Sequence, residues 1–379
     1  MKVLSLFDGI SCGMVALERA GIPVERYVAY EIDKFAIQVS KKNYPQIEQR
    51  GDVTTADFTQ YKGFDLLIGG SPCTYWSIAR IHKGREVTPD GIGGQLFMQY
   101  VRALKESGCK YFLYENNHSI HKDIKAFISE QLGVEPIMIN SSLVSAQERK
   151  RCYWTNIPHV TQPQDKKIYL KDILGIETNE PSQDRILTTI SDFDVKVRKH
   201  YVNQEELALF LKNKKKASGK STREIANICS VPLTKAEHWF RTDKCFAIPD
   251  AENWETLKTA IGIHETAYDA QITEFEIKKN CFDMAKRIYN VNGKHPTLTT
   301  LTGGHQRATI TDGKDVFYLE PQHCEALQTM PIGYTEGVSN RQRFKCLGNG
   351  WTVDVISHIL SFLPDEYKKG ENNETIQHD

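Results

Sequence analysis

The chain has 379 residues, of which 40% are hydrophobic, and its 48 Lys and Arg residues balance its 48 Asp and Glu residues. This length is sufficient to bury a sizeable core and to form two domains. Because the net charge is zero, no overall charge favours a polyanionic partner, and any nucleic-acid surface must be local.

The cysteine and histidine spacings argue against disulfide-rich and metal-binding proteins. The nine cysteines are odd in number and include no Cys-x-x-Cys pair. His118 and His121 have no cysteine or acidic partner at ligand spacing, so we expect no metal. The N-terminus turns polar too early for a signal peptide, and no apolar segment approaches the roughly 18 residues of a membrane span. We therefore expect a soluble cytoplasmic protein without a membrane partner.

Residues 1–160 alternate short apolar segments with segments of helical spacing. Buried strands are predicted at Val3–Phe7, Tyr27–Ile32, Phe64–Gly69 and Tyr111–Glu115. Helices are predicted at Cys12–Ala20, Asp33–Tyr44 with Asp33 as its cap, and Gln95–Ser107. This alternation predicts an α/β domain whose parallel sheet is covered on both faces and binds ligands at the carboxyl ends of its strands.

Residues 161–316 lose this alternation and form a second predicted region. A lysine-rich stretch over residues 212–220 leads into Ser221 and Glu224, which form a predicted capping box. Two short amphipathic segments follow, and they predict a helix-turn-helix-like module near residues 218–262 whose second helix is Leu233–Phe240. The chain returns to the first domain over residues 317–364, which end in the predicted helix Val353–Leu363. Residues 365–379 are polar and predicted to be disordered.

Two carboxylates at predicted strand ends indicate a nucleoside ligand. Gly9 follows the first strand, where a ligand can approach the backbone and the helix N-terminus offers unpaired N–H groups. Glu31 ends the second strand and can accept both hydroxyls of a ribose, and Asp52 is placed to contact an adenine. Alternatively, both carboxylates only cap helices. These residues do not identify the nucleoside.

Cys73 is the most unusual residue of the first region. It follows Gly69-Gly70-Ser71-Pro72 directly after the apolar segment Phe64–Ile68. A tight turn therefore presents a thiol at the end of a buried strand. Such a thiol is either a nucleophile or an inert core cysteine.

Seven short motifs, taken in order, resemble those of the DNA (cytosine-5) methyltransferases, especially the phage and prophage enzymes and the vertebrate de novo enzymes. The motifs are Phe7-Asp8-Gly9-Ile10-Ser11, Glu31, Gly51-Asp52, Gly70-Ser71-Pro72-Cys73, Glu115-Asn116-Asn117, Gln147-x-Arg149-x-Arg151 and Gly348-Asn349-Gly350. The resemblance covers about residues 1–160 and 285–363. It implies a Rossmann-like sheet that uses S-adenosylmethionine, with an inserted smaller target-recognition domain in the middle region.

The resemblance also implies roles for four residues. Cys73 adds to carbon 6 of a cytosine flipped out of duplex DNA, which makes carbon 5 nucleophilic toward a sulfonium methyl group. Glu115 assists as an acid at N3 of the ring. Arg149 reaches the cytosine carbonyl or the catalytic loop, while Arg151 supports the site.

Further contacts are expected from the same resemblance, and the chain is expected to act as a monomer. Residues expected to bind S-adenosylmethionine are Phe7, Asp8, Gly9, Ile10, Ser11, Glu31, Ile32, Asp52, Val53, Ser71, Pro72, Leu96, Asn349, Trp351 and Val353. Residues expected to contact DNA, on a loop over the flipped base and on the inserted module, are Ser77, Arg80, Arg85, Lys214, Lys215, Lys216, Lys220, Thr234, Lys235, His238 and Thr299.

Three alternatives stay open from the sequence. One branch of the same family methylates transfer RNA, although a DNA-reading insertion favours DNA. The second alternative is that the chain is a DNA-binding regulator whose methyltransferase half is vestigial. The lysine-rich stretch, finally, is either a phosphate-binding surface or a solvated surface beside a helical packing module. The sequence gives neither the target site nor whether the enzyme belongs to a restriction–modification pair.

Overall fold

The structure is a computed structural model that describes residues 1–76, 84–175, 186–189, 198–200, 203–265, 268, 272–274, 287–300, 308–312 and 315–368. Its contacts divide the chain into two compact units. The first unit comprises residues 1–167, 297–300 and 324–379, and the second comprises residues 168–296 and 301–323. Residues 297–300, which lie within the middle region of the sequence, thus belong to the first unit.

A seven-stranded sheet forms the centre of the first unit. Its strands are β1 (Lys2–Leu6), β2 (Arg26–Tyr30), β3 (Glu48–Gln49), β4 (Leu66–Gly69), β5 (Tyr111–Asn117), β6 (Ile137–Asn140) and β7 (Lys150–Thr155). They are ordered β3-β2-β1-β4-β5-β7-β6. The predicted parallel pairing is correct from β3 to β5, whereas β7 runs antiparallel to β5 and β6. This reversal places Arg151 opposite Asn117 at the carboxyl end of β5.

The helices also follow the predicted alternation in the first unit. In chain order, the helices among the described residues are α1 (Cys12–Arg19), α2 (Lys34–Asn43), α3 (Ile92–Ser107), α4 (Lys122–Leu132), α5 (Leu170–Leu174), α6 (Gln204–Ser218), α7 (Thr222–Ile228), α8 (Leu233–Trp239), α9 (Ala251–Ile261), α10 (Pro321–Leu327), α11 (Asn340–Asn349) and α12 (Val353–Leu360). As predicted, Asp33 caps α2 by accepting from the N–H groups of Phe35 and Ala36.

Two predicted boundaries are wrong for reasons that are not local in sequence. Helix α3 begins at Ile92 rather than at Gln95, because the carboxylate of Glu86 accepts hydrogen bonds from the N–H groups of Ile92 and Gly93. Residues 365–367 form a 3-10 turn rather than the start of a disordered tail. There, the Tyr367 ring packs edge-on against the ring of Tyr111, with 5.9 Å between the ring centroids. Residues 369–379 of that predicted tail lie outside the described residues.

The second unit contains a mixed sheet and a separate helical cluster. Its strands are β8 (Ile186–Thr189), β9 (Arg198–His200), β10 (Ile272–Glu274), β11 (Arg287–Asn290), β12 (Thr309–Thr311) and β13 (Asp315–Tyr318), ordered β8-β13-β12-β11-β10-β9. The predicted capping box is present at α7, where Ser221 and Glu224 each accept the other's backbone N–H. Helices α6 to α9 bury a common core that includes Trp239 and Trp254.

A buried carboxylate fixes the segment between α10 and α11. Glu325 is fully buried, and its oxygens accept hydrogen bonds from the backbone N–H groups of Gly333 (2.7 Å) and Thr335 (2.9 Å). The Arg343 guanidinium lies 3.0 Å from Oε1 and supplies the opposite charge. Because a buried charge without its partner is costly, this ion pair holds the segment against α11.

We expect Arg343→Met to lower the unfolding free energy of the first unit by about 3 kcal/mol, because the substitution leaves Glu325 buried without a counter-charge. Differential scanning calorimetry measures the change as a lower thermal midpoint. Arg341→Met is the matched control, since Arg341 lies exposed on the same helix, and it should change stability by less than about 0.5 kcal/mol. Equal midpoints for the two variants would contradict the assigned role.

Candidate functional site

A cavity of about 270 Å³ opens at the carboxyl ends of the parallel strands in the first unit. The order of the sheet reverses between β1 and β4, which is where open α/β sheets bind ligands. Most residues of the expected cofactor and catalytic sets line this cavity, namely Phe7, Asp8, Gly9, Ile10, Glu31, Ile32, Asp52, Val53, Ser71, Pro72, Leu96, Glu115, Arg149, Arg151, Asn349 and Trp351.

Two residues expected to bind the cofactor do not line the cavity. The Ser11 hydroxyl is fully buried and donates to Oδ2 of Asp8, so Ser11 orients the carboxylate that faces the cavity. Val353 begins α12 as a fully buried core residue, and its N–H donates to the carbonyl of Gln328.

The loop after β1 owes its shape to left-handed backbone at Phe7 (φ 56°), Gly9 (φ 61°) and Ser11 (φ 60°). A side chain at positive φ is strained, so the surrounding contacts must hold Phe7 and Ser11 in place. The Asp8 carboxylate makes some of these contacts. It accepts hydrogen bonds from the hydroxyls of Ser5 (2.6 Å), Ser11 (2.5 Å) and Tyr27 (2.7 Å).

Burial raises the pKa of Asp8 from 3.8 to about 6. The hydroxyl hydrogen bonds oppose this shift, and the charge of nearby Glu31 adds to it. A carboxyl group that changes charge near pH 6 therefore lies in the wall of the cavity.

Glu31 and Asp52 line the cavity and also hold the backbone. Oε2 of Glu31 accepts from the N–H of Gly9 (2.8 Å), and its Oε1 accepts from the N–H groups of Ile32 and Asp33 (2.8 Å each). Asp52 caps the 3-10 turn Val53–Thr55 through the N–H of Thr54. Asp52 is therefore a cap, but capping does not exclude a ligand contact, because both carboxylates also line the cavity.

The turn that carries Cys73 is held by β5. Cys73 starts a 3-10 turn, Cys73–Tyr75, four residues after the end of β4. The hydroxyl of Ser71 lies 2.6 Å from that of Tyr114, and the amide of Asn116 donates to the carbonyl of Ser71. Pro72 and Thr74, the residues on either side of Cys73, line the cavity.

Glu115 lies beside this turn with both carboxylate oxygens engaged. Arg151 Nε is 2.9 Å from Oε1, and the indole Nε1 of Trp351 donates to Oε2 at 3.0 Å. Both partners of the ion pair are largely buried, with side chains that are 12% exposed for Glu115 and 9% exposed for Arg151. Arg151 therefore contacts the expected acid directly, and its supporting role stays a prediction.

Arg149 lines the cavity and also binds the backbone of two loops. Its guanidinium is buried and donates to the carbonyl oxygens of Leu298 (3.1 Å), Gly348 (3.2 Å) and Gly350 (2.9 Å). It therefore joins two loops that are distant in sequence, and the expectation that it reaches the cytosine carbonyl or the catalytic loop stays a prediction. The guanidinium suits this task because its fork of N–H donors can bind several acceptors at once.

Several residues of the cavity wall were given no ligand contact from the sequence. Gly51, Gly70, Gly348 and Gly350 belong to the quoted motifs, and Cys12, Tyr30 and Thr74 adjoin motif residues. The others are Asp33, which was predicted only as a helix cap, Ala36 and Cys346. Cys12 is buried, with a pKa raised by that burial to about 12, yet it also lines the cavity.

The residues expected to contact DNA near the cavity have different surroundings. Arg85 donates to the carbonyls of Trp76 (2.9 Å) and Ser119 (2.6 Å), so its guanidinium anchors a loop. The backbone of Thr299 packs closely on Gly348. A Cβ added at residue 348 would lie 2.4 Å from the carbonyl carbon of Thr299. Ser77 and Arg80 lie outside the described residues.

The lysines on and around α6 to α9, where the sequence predicts an inserted module, divide into paired and exposed groups. Lys214 pairs with Glu265, Lys215 binds the hydroxyl of Thr222 and lies over the Phe240 ring, and Lys235 pairs with Asp250. The side chains of Lys216, Lys220, Thr234 and His238 are exposed. Thr234 and His238 are four residues apart on α8 and share one face of that helix. His238 Nδ1 lies 2.7 Å from the carbonyl of Cys245.

Among the described residues, no group of three or more His, Cys, Asp or Glu side chains is placed to hold a metal ion. Within the same residues, no helix has the length and apolar character that a membrane crossing requires.

Comparison with known proteins gives one family for nearly the whole chain. The model described as C-5 cytosine-specific DNA methylase matches residues 1–363. The orphan methyltransferase M.Rho11sI of Bacillus phage rho11s is 26% identical over 82% of this chain and 69% of its own length. The type II methyltransferase M.NgoBV of Neisseria gonorrhoeae is 24% identical over 96% of this chain and 98% of its own length.

A solved structure shares the mixed α/β fold with its largely parallel sheet. The methyltransferase EhMeth of Entamoeba histolytica superposes with a TM-score of 0.59 at 14% identity, covering 97% of this chain and 99% of that chain.

Replacing Asp8 should change how stability depends on pH. Because the folded protein binds the Asp8 proton more tightly than the unfolded chain does, protonation stabilises the fold at low pH, and this contribution is lost as pH rises from about 4 to about 6. Wild type should therefore gain stability relative to Asp8→Asn when pH falls from about 7 to about 5. Denaturant unfolding at several pH values measures the difference. Parallel pH dependences for the two proteins would refute the assignment.

Proposed function

We propose a mechanism from the premise that this chain belongs to the C-5 cytosine-specific DNA methylases, which transfer the methyl group of S-adenosylmethionine to carbon 5 of cytosine in DNA. In this proposal Cys73 is the nucleophile and Glu115 is the acid. The observation that carries it is that the turn bearing Cys73 and the carboxylate of Glu115 border one cavity at the topological switch point of the sheet.

The cavity wall suits S-adenosylmethionine. Glu31 and Asp52 supply acceptors at the ends of neighbouring strands, where a ribose and an adenine are proposed to bind. Ile32 is 76% exposed, and such an apolar side chain beside a carboxylate fits the flat face of a purine. When bound, S-adenosylmethionine supplies an electrophilic methyl group. Phe7, Ile32 and Val53 are proposed to exclude water from it.

The reaction at the base follows from the chemistry of a thiol and an acid. The Cys73 thiolate forms a bond to carbon 6 while Glu115 gives a proton to N3, so that negative charge does not accumulate on the ring. Carbon 5 becomes enamine-like and takes the methyl group, whose bond to the sulfonium sulfur breaks and leaves that sulfur as a neutral thioether. Loss of the carbon 5 proton to a base then restores the double bond between carbons 5 and 6, as the bond between the Cys73 sulfur and carbon 6 breaks and N3 returns its proton to Glu115.

Arg149 and Arg151 are proposed to have different tasks. Arg151 holds Oε1 of Glu115 and lines the cavity, so it is the arginine best placed to meet the carbonyl of a flipped cytosine. Arg149 fixes the loops at Leu298 and Gly350, which form part of the wall. The target base must leave the duplex to reach Glu115, because that carboxylate is largely buried.

The inserted module is proposed to read DNA through its exposed face. Thr234 and His238 on α8 are proposed to contact base edges in a DNA groove, and Lys216 and Lys220 are proposed to contact phosphates. Lys214 and Lys215 were also expected to contact phosphates, and Lys235 was expected to contact the groove. Because each is paired within the module, their proposed contribution to DNA binding is smaller.

Cytosine methylation should require Cys73. Bisulfite sequencing of plasmid DNA from cells that express the protein should show protected cytosines in one recurring short context, because 5-methylcytosine resists conversion. The Cys73→Ala strain should show none, while Cys245→Ala, which removes an exposed thiol in the other unit, should match wild type. Complete conversion in every strain, with soluble protein present, would shift the function to an RNA substrate or to DNA binding without catalysis.

The exposed lysines should set the salt dependence of DNA binding. Each phosphate contact contributes about 0.9 to the slope of log K against log salt, so Lys216→Gln with Lys220→Gln should reduce that slope by about 2. Fluorescence anisotropy of a labelled duplex at several KCl concentrations measures it. The control pair is Lys214→Gln with Lys215→Gln, which should change the slope less. If the Lys216→Gln, Lys220→Gln double variant has the same slope of log K against log salt as wild type, these phosphate contacts are excluded.

A further inference from the structure

Trp351 joins the cavity wall to the catalytic carboxylate. Its indole lines the cavity, and its Nε1 donates to Oε2 of Glu115 at 3.0 Å. Because Arg151 occupies Oε1 at 2.9 Å, the orientation of the carboxylate is fixed from two sides. A single N–H donor would leave the carboxylate free to rotate about its last bond.

The backbone on both sides of Trp351 is clamped by one buried side chain. The amide of Gln328 donates to the carbonyl of Gly350 (3.1 Å) and accepts from the hydroxyl of Thr352 (2.8 Å). Gln328 is fully buried, and Arg149 also donates to the carbonyl of Gly350 at 2.9 Å. Trp351 is therefore presented to Glu115 by a rigid support, as an effective positioning group must be.

Gly70 packs against the contact between Glu115 and Trp351. A Cβ at residue 70 would lie 3.0 Å from Oε2 of Glu115 and 3.5 Å from Nε1 of Trp351. The carboxylate and the indole therefore meet directly against the backbone that leads to Cys73. This packing leaves little room for another carboxylate orientation on that side.

We propose that Trp351 is a positioning residue for methyl transfer, whose indole N–H holds the Glu115 carboxyl in the orientation that serves N3 of the cytosine. The inference rests on the proposed function, since it assigns Glu115 as the acid. Proton transfer depends on the position of the acid to within a fraction of an ångström, so losing this N–H slows the chemical step even when the ring remains.

The experiment separates the N–H from the ring. Trp351→Phe keeps an aromatic wall for the cavity but removes the donor. We expect its Kd for S-adenosylmethionine to stay within about threefold of wild type, and its single-turnover rate of methyl transfer to fall by roughly 10- to 100-fold. Equilibrium dialysis measures the Kd. Transfer of a tritiated methyl group to a plasmid that lacks cytosine methylation measures the rate.

A double-mutant cycle with Glu115→Ala shows whether Trp351 acts through Glu115. In the Glu115→Ala protein, adding Trp351→Phe should slow transfer by less than about twofold, because the acceptor is already gone. Full additivity of the two changes would overturn the proposal. A weaker Kd with an unchanged rate would also overturn it, since Trp351 would then act only as a wall for the cofactor.

Trp154→Phe is the matched control for a lost indole hydrogen bond. Trp154 is fully buried in β7 and donates to the hydroxyl of Ser129 at 3.0 Å. Its single-turnover rate should stay within about twofold of wild type. If both tryptophan variants are slowed equally, the effect is one of fold stability and the proposal fails. If wild type itself transfers no methyl group, the proposed function fails instead.

Discussion

The close approach of the β4 end to the β5 end is the constraint on which the site depends. Gly70 has no room for a side chain, because a Cβ there would lie 2.9 Å from the carbonyl oxygen of Glu115. The chain therefore passes directly beside the carboxylate before it turns at Pro72 into Cys73. Backbone packing brings the proposed nucleophile and the proposed acid together, and the indole of Trp351 donates to the carboxylate of Glu115.

Parallel strands that end at one edge of a sheet explain why distant motifs share a cavity. Asp8, Glu31, Asp52 and Glu115 are far apart in sequence, yet each follows or ends a strand of the same sheet. Pairing of the strands alone brings these four carboxylates to the same edge of the sheet. The later residues Asn349 and Trp351 have no strand to position them, and the buried network around Gln328 takes over that task.

The sequence predicted those parts of the molecule that local patterns determine. Periodicity predicted β1, β2, β4 and β5 but not the two-residue strand β3, and side-chain chemistry predicted the caps at Asp33 and Ser221. Contacts between residues that are distant in sequence could not be predicted from these local patterns. The start of α3 depends on Glu86 in the preceding loop, and the exclusion of Ser11 from the cavity depends on which way a left-handed residue points its side chain.

The charge pattern of the inserted module illustrates the same limit. A lysine-rich stretch looks uniform in sequence, yet helix packing pairs Lys214 and Lys215 within the module and leaves Lys216 exposed. Only the folded arrangement separates lysines that stabilise the module from those open to a partner.

The hydrogen bonds of Arg149 also bear on how the first unit assembles during synthesis. Its acceptors at Leu298, Gly348 and Gly350 follow it in the chain by about 150 to 200 residues. A ribosome therefore makes the whole second unit before the cavity wall can close around this arginine. Such long sequence separation slows folding, because the loop must be closed before the contacts stabilise it. The segments around Leu298 and Gly350 therefore complete this part of the cavity wall only after Arg149 has been made.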